Sequence, residues 1–282
     1  CDAEYYKQFS APRSAVTVIS SSPFEIEYVR SLRKVDLANV AVVRPIGFGA
    51  NAGAAAGHDD DHHSHDNDDD DHDDDDGSAD GGLADEYLDP APAGLDKTTR
   101  FYVMPMVNEV QLNLAEQLTQ RGVPVWTPPS ASVDGGWGGP DALRGFRGVV
   151  HVPYAPLTFA AFEHAQAGLL TFIPSPSLLL AWLQQRKISF KPQSSDFGVG
   201  TSPINEEMLG LTEFYDRGNA PLFVHFDSLD DLASKIRNTD YQARAASLAR
   251  WAEAHTNSTL WRWRAIDQTL VRGQPLSQQN GS

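Results

Sequence analysis

The chain has 282 residues, 41% hydrophobic and 21% charged, and its 22 Lys and Arg face 38 Asp and Glu for a formal net charge of −16. That length suffices for one large domain or two smaller ones with a real core, and the composition excludes collagen, a disulfide scaffold and a wholly disordered chain. The charge is concentrated, because His58–Asp76 alone carries 12 Asp and five His, so the rest of the chain is only mildly acidic. No basic stripe is present to neutralise phosphates, and an acidic body is repelled by anionic lipid, so neither nucleic acid nor a membrane surface is an expected partner.

The single cysteine, Cys1, excludes an internal disulfide and any zinc site built on several thiolates. The most apolar run, Leu169–Leu183, is too short for a typical span and is interrupted by Pro174 and Pro176, so no membrane span is expected. The sequence opens on Cys1 without Met, a basic leader or an apolar leader. It therefore reads as a fragment or processed chain with an incomplete N-terminus, and both a cytoplasmic and a secretory location stay open.

In chain order, Ala15–Ser20 reads as a buried strand, Phe24–Leu32 as a short helix opened by Ser22-Pro23, and Asn39–Arg44 as a second strand rich in Val and stopped by Pro45. From Gly47 to about Lys97 the chain passes through Gly and Ala into the Asp/His tract. This segment has almost no large apolar residues to offset its chain entropy, and its carboxylates repel one another, so it is expected to be a disordered surface insertion. Its many Asp-x-Asp triplets follow from composition alone and imply no defined metal geometry.

The second block alternates strand and helix. Strands are predicted at Arg100–Met104, Val123–Trp126, Gly148–Val152, Leu169–Ile173 and Leu222–Phe226, and helices at Asn108–Gln120, Leu157–Ala167 and Ser177–Arg186. Three further helices, Leu229–Arg237, Tyr241–Ala254 and Thr259–Leu270, close the chain. Helices of about ten residues between strands imply βαβ crossovers and an α/β, Rossmann-like, mostly parallel sheet with helices on both faces. Trp251, Trp261 and Trp263 read as helix residues packed on that sheet. In such sheets ligands bind at the carboxyl ends of the strands.

The stretch most informative for chemistry is Gly148–Ser177, where a buried strand delivers His151 and Tyr154 to a turn just before a helix. Pro156, Leu157 and Thr158 at that helix start can offer backbone N–H groups and a hydroxyl to a phosphate. His151 is a candidate general base or phosphate ligand, against the simpler reading of a hydrogen-bonded structural histidine. The following helix is apolar nearly all round yet carries Glu163 in its middle. A carboxylate there is costly unless a donor reaches it, and ligand sugar hydroxyls would serve, as would neighbouring protein groups or solvent.

Phe162-Glu163 followed by Gly168 and the strand 169–174 resembles the nucleotide-sugar-binding C-terminal domain of GT-B-fold glycosyltransferases, which places an acidic residue, a small residue and a buried strand in that order. The segments SPFEIEYVRSL, GGPDALRGFRGVVHVPY, FEHAQAG, FIPSPSLL and LTEFYD with FDSLDDL are similar to those of a group of algal and related eukaryotic glycosyltransferase-like proteins. This resemblance implies a trailing part of an acceptor-side domain at 1–46, the insertion at 47–97, a donor-binding domain at 98–272 and a disordered tail at 273–282. It further implies that Glu163 holds the ribose hydroxyls of a UDP- or GDP-type nucleotide sugar while Thr158 and adjoining amides hold its diphosphate, and the turn's Tyr154 and Pro156 join them as donor-binding residues. His151 is the candidate catalytic residue by its place at the strand end, whereas the family reading expects the acceptor base from the N-terminal domain. No permanently bound cofactor or metal is implied, since GT-B enzymes generally work without one; the acceptor is a glycan, a protein or a small molecule.

One departure from the family matters. Retaining GT-B enzymes often carry a second acidic residue eight positions before this Glu, and here that position is Ala155. The expected function is glycosyl transfer from a nucleotide sugar, and the alternative is a non-catalytic GT-B-like sugar-nucleotide or carbohydrate-binding protein. A phosphate-binding α/β enzyme of another kind is weaker, because neither a P-loop nor a nucleophile elbow is present.

Overall fold

Short runs of Val, Phe, Tyr and Ile, each followed by a helix, set the framework, and their strands are parallel because each crossover helix returns the chain to the same edge direction. The computed structural model describes residues 18–33, 36–37, 40–46, 94–128, 143–156, 160–190 and 204–272. The Asp/His-rich stretch and the predicted tail at 273–282 lie outside the described residues, as does Thr158.

The chain first forms β1 (Val18–Ser20), α1 (Pro23–Arg33) and β2 (Val40–Val42), a βαβ unit whose strands pair in parallel with Val18 opposite Val40. Pro23 starts α1, and Glu25 in its first turn accepts from the Ser20 hydroxyl at 2.6 Å and the Ser21 N–H at 3.1 Å, satisfying groups that would otherwise lack partners.

The main sheet is built from β3 (Phe101–Val103), β4 (Val125–Trp126), β5 (Gly148–Val150), β6 (Thr171–Pro174) and β7 (Phe223–Phe226). All pairs are parallel and the spatial order is β4-β3-β5-β6-β7. The α/β, Rossmann-like expectation therefore holds. Winding goes outward from β3 to β4, then reverses and runs from β5 to β7, so the reversal lies between the neighbours β3 and β5.

Between the strands come α2 (Val107–Gln111), α3 (Leu114–Gln120), α4 (Ala160–Gln166), α5 (Pro176–Gln184) and α6 (Glu206–Leu209), then α7 (Leu229–Asn238) and α8 (Tyr241–Arg272). Ser175 caps α5 and Ser228 caps α7, each hydroxyl accepting a backbone N–H three residues on. Phe101, Tyr102 and Val103 are all buried, as a parallel strand covered on both faces requires.

Two expectations are corrected. The helix predicted over 108–120 is two short helices, because Asn113 sits in the left-handed region at φ 48°, and its side-chain amide turns to the Glu116 carboxylate. Asn tolerates that conformation better than other side chains, so a continuous apolar spacing conceals the break. Conversely, the two helices predicted over 241–254 and 259–270 are one continuous helix of 32 residues. His255-Thr-Asn-Ser258 contains neither Gly nor Pro, and its propensity cost of a few tenths of a kcal/mol per residue is too small to end a helix held by packing.

The long helix joins the two sheets. Arg262 donates to the Val42 carbonyl at 2.7 Å and the His255 ring lies 2.9 Å from the Pro45 carbonyl. Arg44 reaches the other way, pairing with Asp216 at 2.7 Å and donating to Asn219 at 3.0 Å. Trp251 stacks on His255 at 4.5 Å and donates to the Gly218 carbonyl at 2.9 Å. Trp261 and Trp263, predicted to pack on the sheet, are instead 58% and 46% exposed, and the covered positions of this stretch are Thr259 and Ile266.

Gly148 marks the tightest approach within the sheet. A Cβ there would meet the Leu170 carbonyl oxygen at 2.9 Å and two Phe101 ring carbons at 3.3 Å. Gly148→Ala is expected to lower the unfolding free energy by about 1–3 kcal/mol through overpacking. Urea denaturation checks this, and an unchanged midpoint would contradict the close approach of β5 to both its neighbours.

Candidate functional site

The reversal between β3 and β5 is where this class of sheet opens a crevice at its strand ends, and buried polar residues gather there. β3 runs through Met104 and Met106 into α2, whose first turn carries Asn108 and Glu109. Both are buried, with Asn108 at 0% and Glu109 at 3% exposure. β5 runs on through His151 to Pro156.

Asn108 ties three segments together. Its amide donates to the Pro153 and Ser189 carbonyls, each at 2.9 Å, and its oxygen accepts the Ser189 N–H at 3.0 Å. Glu109 binds the end of β5 directly: Oε1 accepts the Val152 N–H at 2.7 Å and lies 2.7 Å from His151 Nδ1. Its other oxygen, Oε2, is buried and has no hydrogen-bond partner among the described residues.

The His151 ring is held between Phe214, 5.6 Å away centroid to centroid, and Tyr154, which meets it edge-on at 6.1 Å. These three residues line a cavity of about 50 Å³ together with Met104, Ala160, Ala161, His164 and Thr171. That volume suits water or a single small group and lies far below the roughly 300 Å³ at which drug-sized pockets begin. His164 is buried, its Nδ1 lies 3.1 Å from the Thr171 hydroxyl, and burial, aided by nearby His151, pushes it down to about 3. It stays neutral at ordinary pH.

The predicted residues fall into three groups. His151 and Tyr154 meet at the cavity, with His151 buried and Tyr154 36% exposed. Pro156 is buried and its carbonyl accepts the Glu213 N–H at 3.3 Å, pinning the turn against the segment that carries Phe214. Glu163, on α4 between the cavity-lining Ala161 and His164, does not itself line the cavity.

The helix is thus not buried all round as the sequence suggested. Its covered face is Ala161, Phe162, His164 and Ala165, and Glu163 is only partly buried. Partial burial raises its carboxyl above the usual range.

Sequence reasoning missed Asn108 and Glu109. Their only local signal is a pair of polar residues in the first turn of a helix that directly follows a buried strand.

Among the described residues, no group of three or more His, Cys, Asp or Glu is placed to hold a metal ion, and no helix is long and apolar enough to cross a membrane. No protein-family model matches the chain, and neither does any curated protein or solved structure.

Proposed function

We propose that this chain binds a nucleotide sugar along the strand, turn and helix at 148–168 and serves as the donor-binding part of a glycosyltransferase. The observation that carries the reading is the convergence of His151 and Tyr154 on one cavity at the carboxyl end of β5, beside the reversal of strand order where such sheets take their ligands. Tyr154, Pro156 and Thr158 would engage the diphosphate, and Glu163 would accept the ribose hydroxyls. A partly buried carboxylate whose proton affinity is raised by that burial is suited to the task, because two hydroxyls would supply hydrogen bonds that no described residue gives it. The resemblance of residues 162–174 to the GT-B donor domain supports the same assignment.

The test is donor affinity. Glu163→Gln is expected to weaken binding of UDP- or GDP-glucose about tenfold while leaving the melting temperature of the free chain nearly unchanged, since the side chain bonds no described residue whose loss would destabilise the fold. Equal affinity in wild type and variant would overturn the assignment of Glu163. The second reading, a sugar-nucleotide or carbohydrate-binding protein without turnover, is favoured by Ala155 at the place of the family's second acidic residue. Donor binding without release of nucleoside diphosphate, in the presence of candidate acceptors, is its expected result.

A further inference from the structure

Glu109 is a carboxylate where a neutral side chain would be easier to bury. It is 3% exposed, only one of its two oxygens is engaged, and no described Lys or Arg pairs with it. Leaving a buried acceptor unsatisfied costs about 1–3 kcal/mol, more when it is charged, so the arrangement is a local expense in stability. Such expenses concentrate at working sites.

What Glu109 does is determined by its engaged oxygen. Oε1 already accepts the Val152 N–H, and with Glu109 ionised the same oxygen can only accept from the imidazole, which places the ring proton on Nδ1 of His151. The neutral ring is then left with its lone pair on Nε2, the nitrogen that bonds no described residue. Asn108, one residue earlier, clamps the same loop to Pro153 and Ser189, and the rings of Phe214 and Tyr154 hold the imidazole from the sides. The tautomer and the orientation of His151 are therefore both determined before any ligand arrives.

We propose that Glu109 is the positioning residue of a proton-accepting pair with His151, and that the pair takes the proton of the hydroxyl that attacks the donor sugar. This rests on the glycosyl-transfer reading above. In the step, the hydroxyl oxygen forms a bond to the anomeric carbon. The bond from that carbon to the diphosphate oxygen breaks, and its electron pair leaves with the diphosphate. The hydroxyl proton goes to Nε2 of His151. The resulting imidazolium keeps its Nδ1–H on Glu109, whose negative charge stabilises it in the transition state but has less to act on in the ground state. The cavity beside His151 has room for one small group such as a hydroxyl.

The experiment uses the full chain and the variants Glu109→Gln, His151→Asn and both together. Nucleoside diphosphate release is followed from UDP-, GDP- and ADP-glucose with mixed alcohol and sugar acceptors, alongside donor-induced thermal shifts. Glu109→Gln keeps the shape and the acceptor at Oε1 but removes the charge. It is expected to lower kcat about 10–100-fold with donor KM changed less than about twofold. The double variant is expected to be no slower than His151→Asn alone, because the two residues act as one unit.

Nitrogen-15 spectra of wild type are expected to show His151 protonated at Nδ1 near pH 8. A ring protonated at Nε2 overturns the positioning role, whatever the enzyme does. Donor turnover with Glu109→Gln as fast as wild type, or losses that multiply in the double variant, overturns the pair and leaves the glycosyl-transfer reading standing. A wild-type chain that neither binds nor cleaves any of the three donors overturns that reading itself.

Discussion

Replacing Asn108 with Ala is expected to lower the unfolding free energy by about 3–5 kcal/mol, a large share of the roughly 5–15 kcal/mol that holds a domain of this size together. The residue is fully buried and makes three hydrogen bonds to backbone groups of two distant segments, Pro153 and Ser189. Truncation removes those bonds and leaves the buried Pro153 carbonyl, at about 1–3 kcal/mol, and the partly buried Ser189 carbonyl and N–H, at less each, without their partner. Asn108→Asp should be at least as damaging, since it turns a carboxylate toward two carbonyl oxygens.

Asn238 is the control. It is exposed and bonds only the Ser234 hydroxyl at 3.2 Å, so Asn238→Ala should change stability by no more than about 0.5 kcal/mol. Urea unfolding of the two alanine variants decides the matter. Equal midpoints would mean that Asn108 does not tie β3, the turn after β5 and the end of α5 into one unit.

The second large effect is acid sensitivity. His164 is pushed down to about 3 in the folded chain from an ordinary value near 6.5. Between these values the unfolded chain binds the proton and the folded chain does not, so stability is fully present above pH 6.5 and is lost as pH falls toward 3. At 1.36 kcal/mol per unit, the loss is about 2 kcal/mol by pH 5 and on the order of 4 kcal/mol at the bottom of the window. His225 and His255 are also lowered by burial and act in the same direction, while Glu163, whose carboxyl is raised, opposes them weakly.

His164→Gln keeps a polar group beside the Thr171 hydroxyl and removes the titration. Its stability is expected to fall between pH 7 and pH 5 by about 2 kcal/mol less than that of wild type. Identical pH profiles would show that His164 is not the buried group that resists protonation.

Much of the sheet was legible because a parallel strand buried on both faces leaves an unbroken apolar run. Gly148-Val-Val150 and Thr171-Phe-Ile-Pro174 are such runs, and each lies within a residue or two of its predicted span. The helix boundaries were less legible, and for different reasons. Asn113 breaks a helix by its own conformation without disturbing the spacing of Val110, Leu114 and Leu118. In α8 the polar run around His255 looked like an interruption, but packing of Trp251 and His255 against Phe162 carries the helix through it. Trp261 and Trp263 show the opposite failure, because an aromatic residue in a helix does not say whether anything lies over it.

The site was half legible. His151 and Tyr154 announce themselves by position, at the end of a buried strand and before a helix. Glu109 does not, because what matters about it is a contact to a residue 42 positions later, and that pairing is created only when β3 and β5 become neighbours. Glu163 was singled out for the right chemical reason, a carboxylate among apolar residues. Which side of the helix it occupies depends on what α8 and the segment before β7 cover, and local pattern does not carry that information.

Backbone amide spectra of the full chain, titrated to millimolar UDP-, GDP- and ADP-glucose, decide whether a nucleotide sugar binds along residues 148–168. One of the three is expected to produce saturable shifts at His151, Tyr154 and Glu163, to raise the melting temperature as its occupancy rises, and to lose affinity in Glu163→Gln. Unchanged spectra with all three donors, or shifts confined to residues outside 148–168, would contradict it.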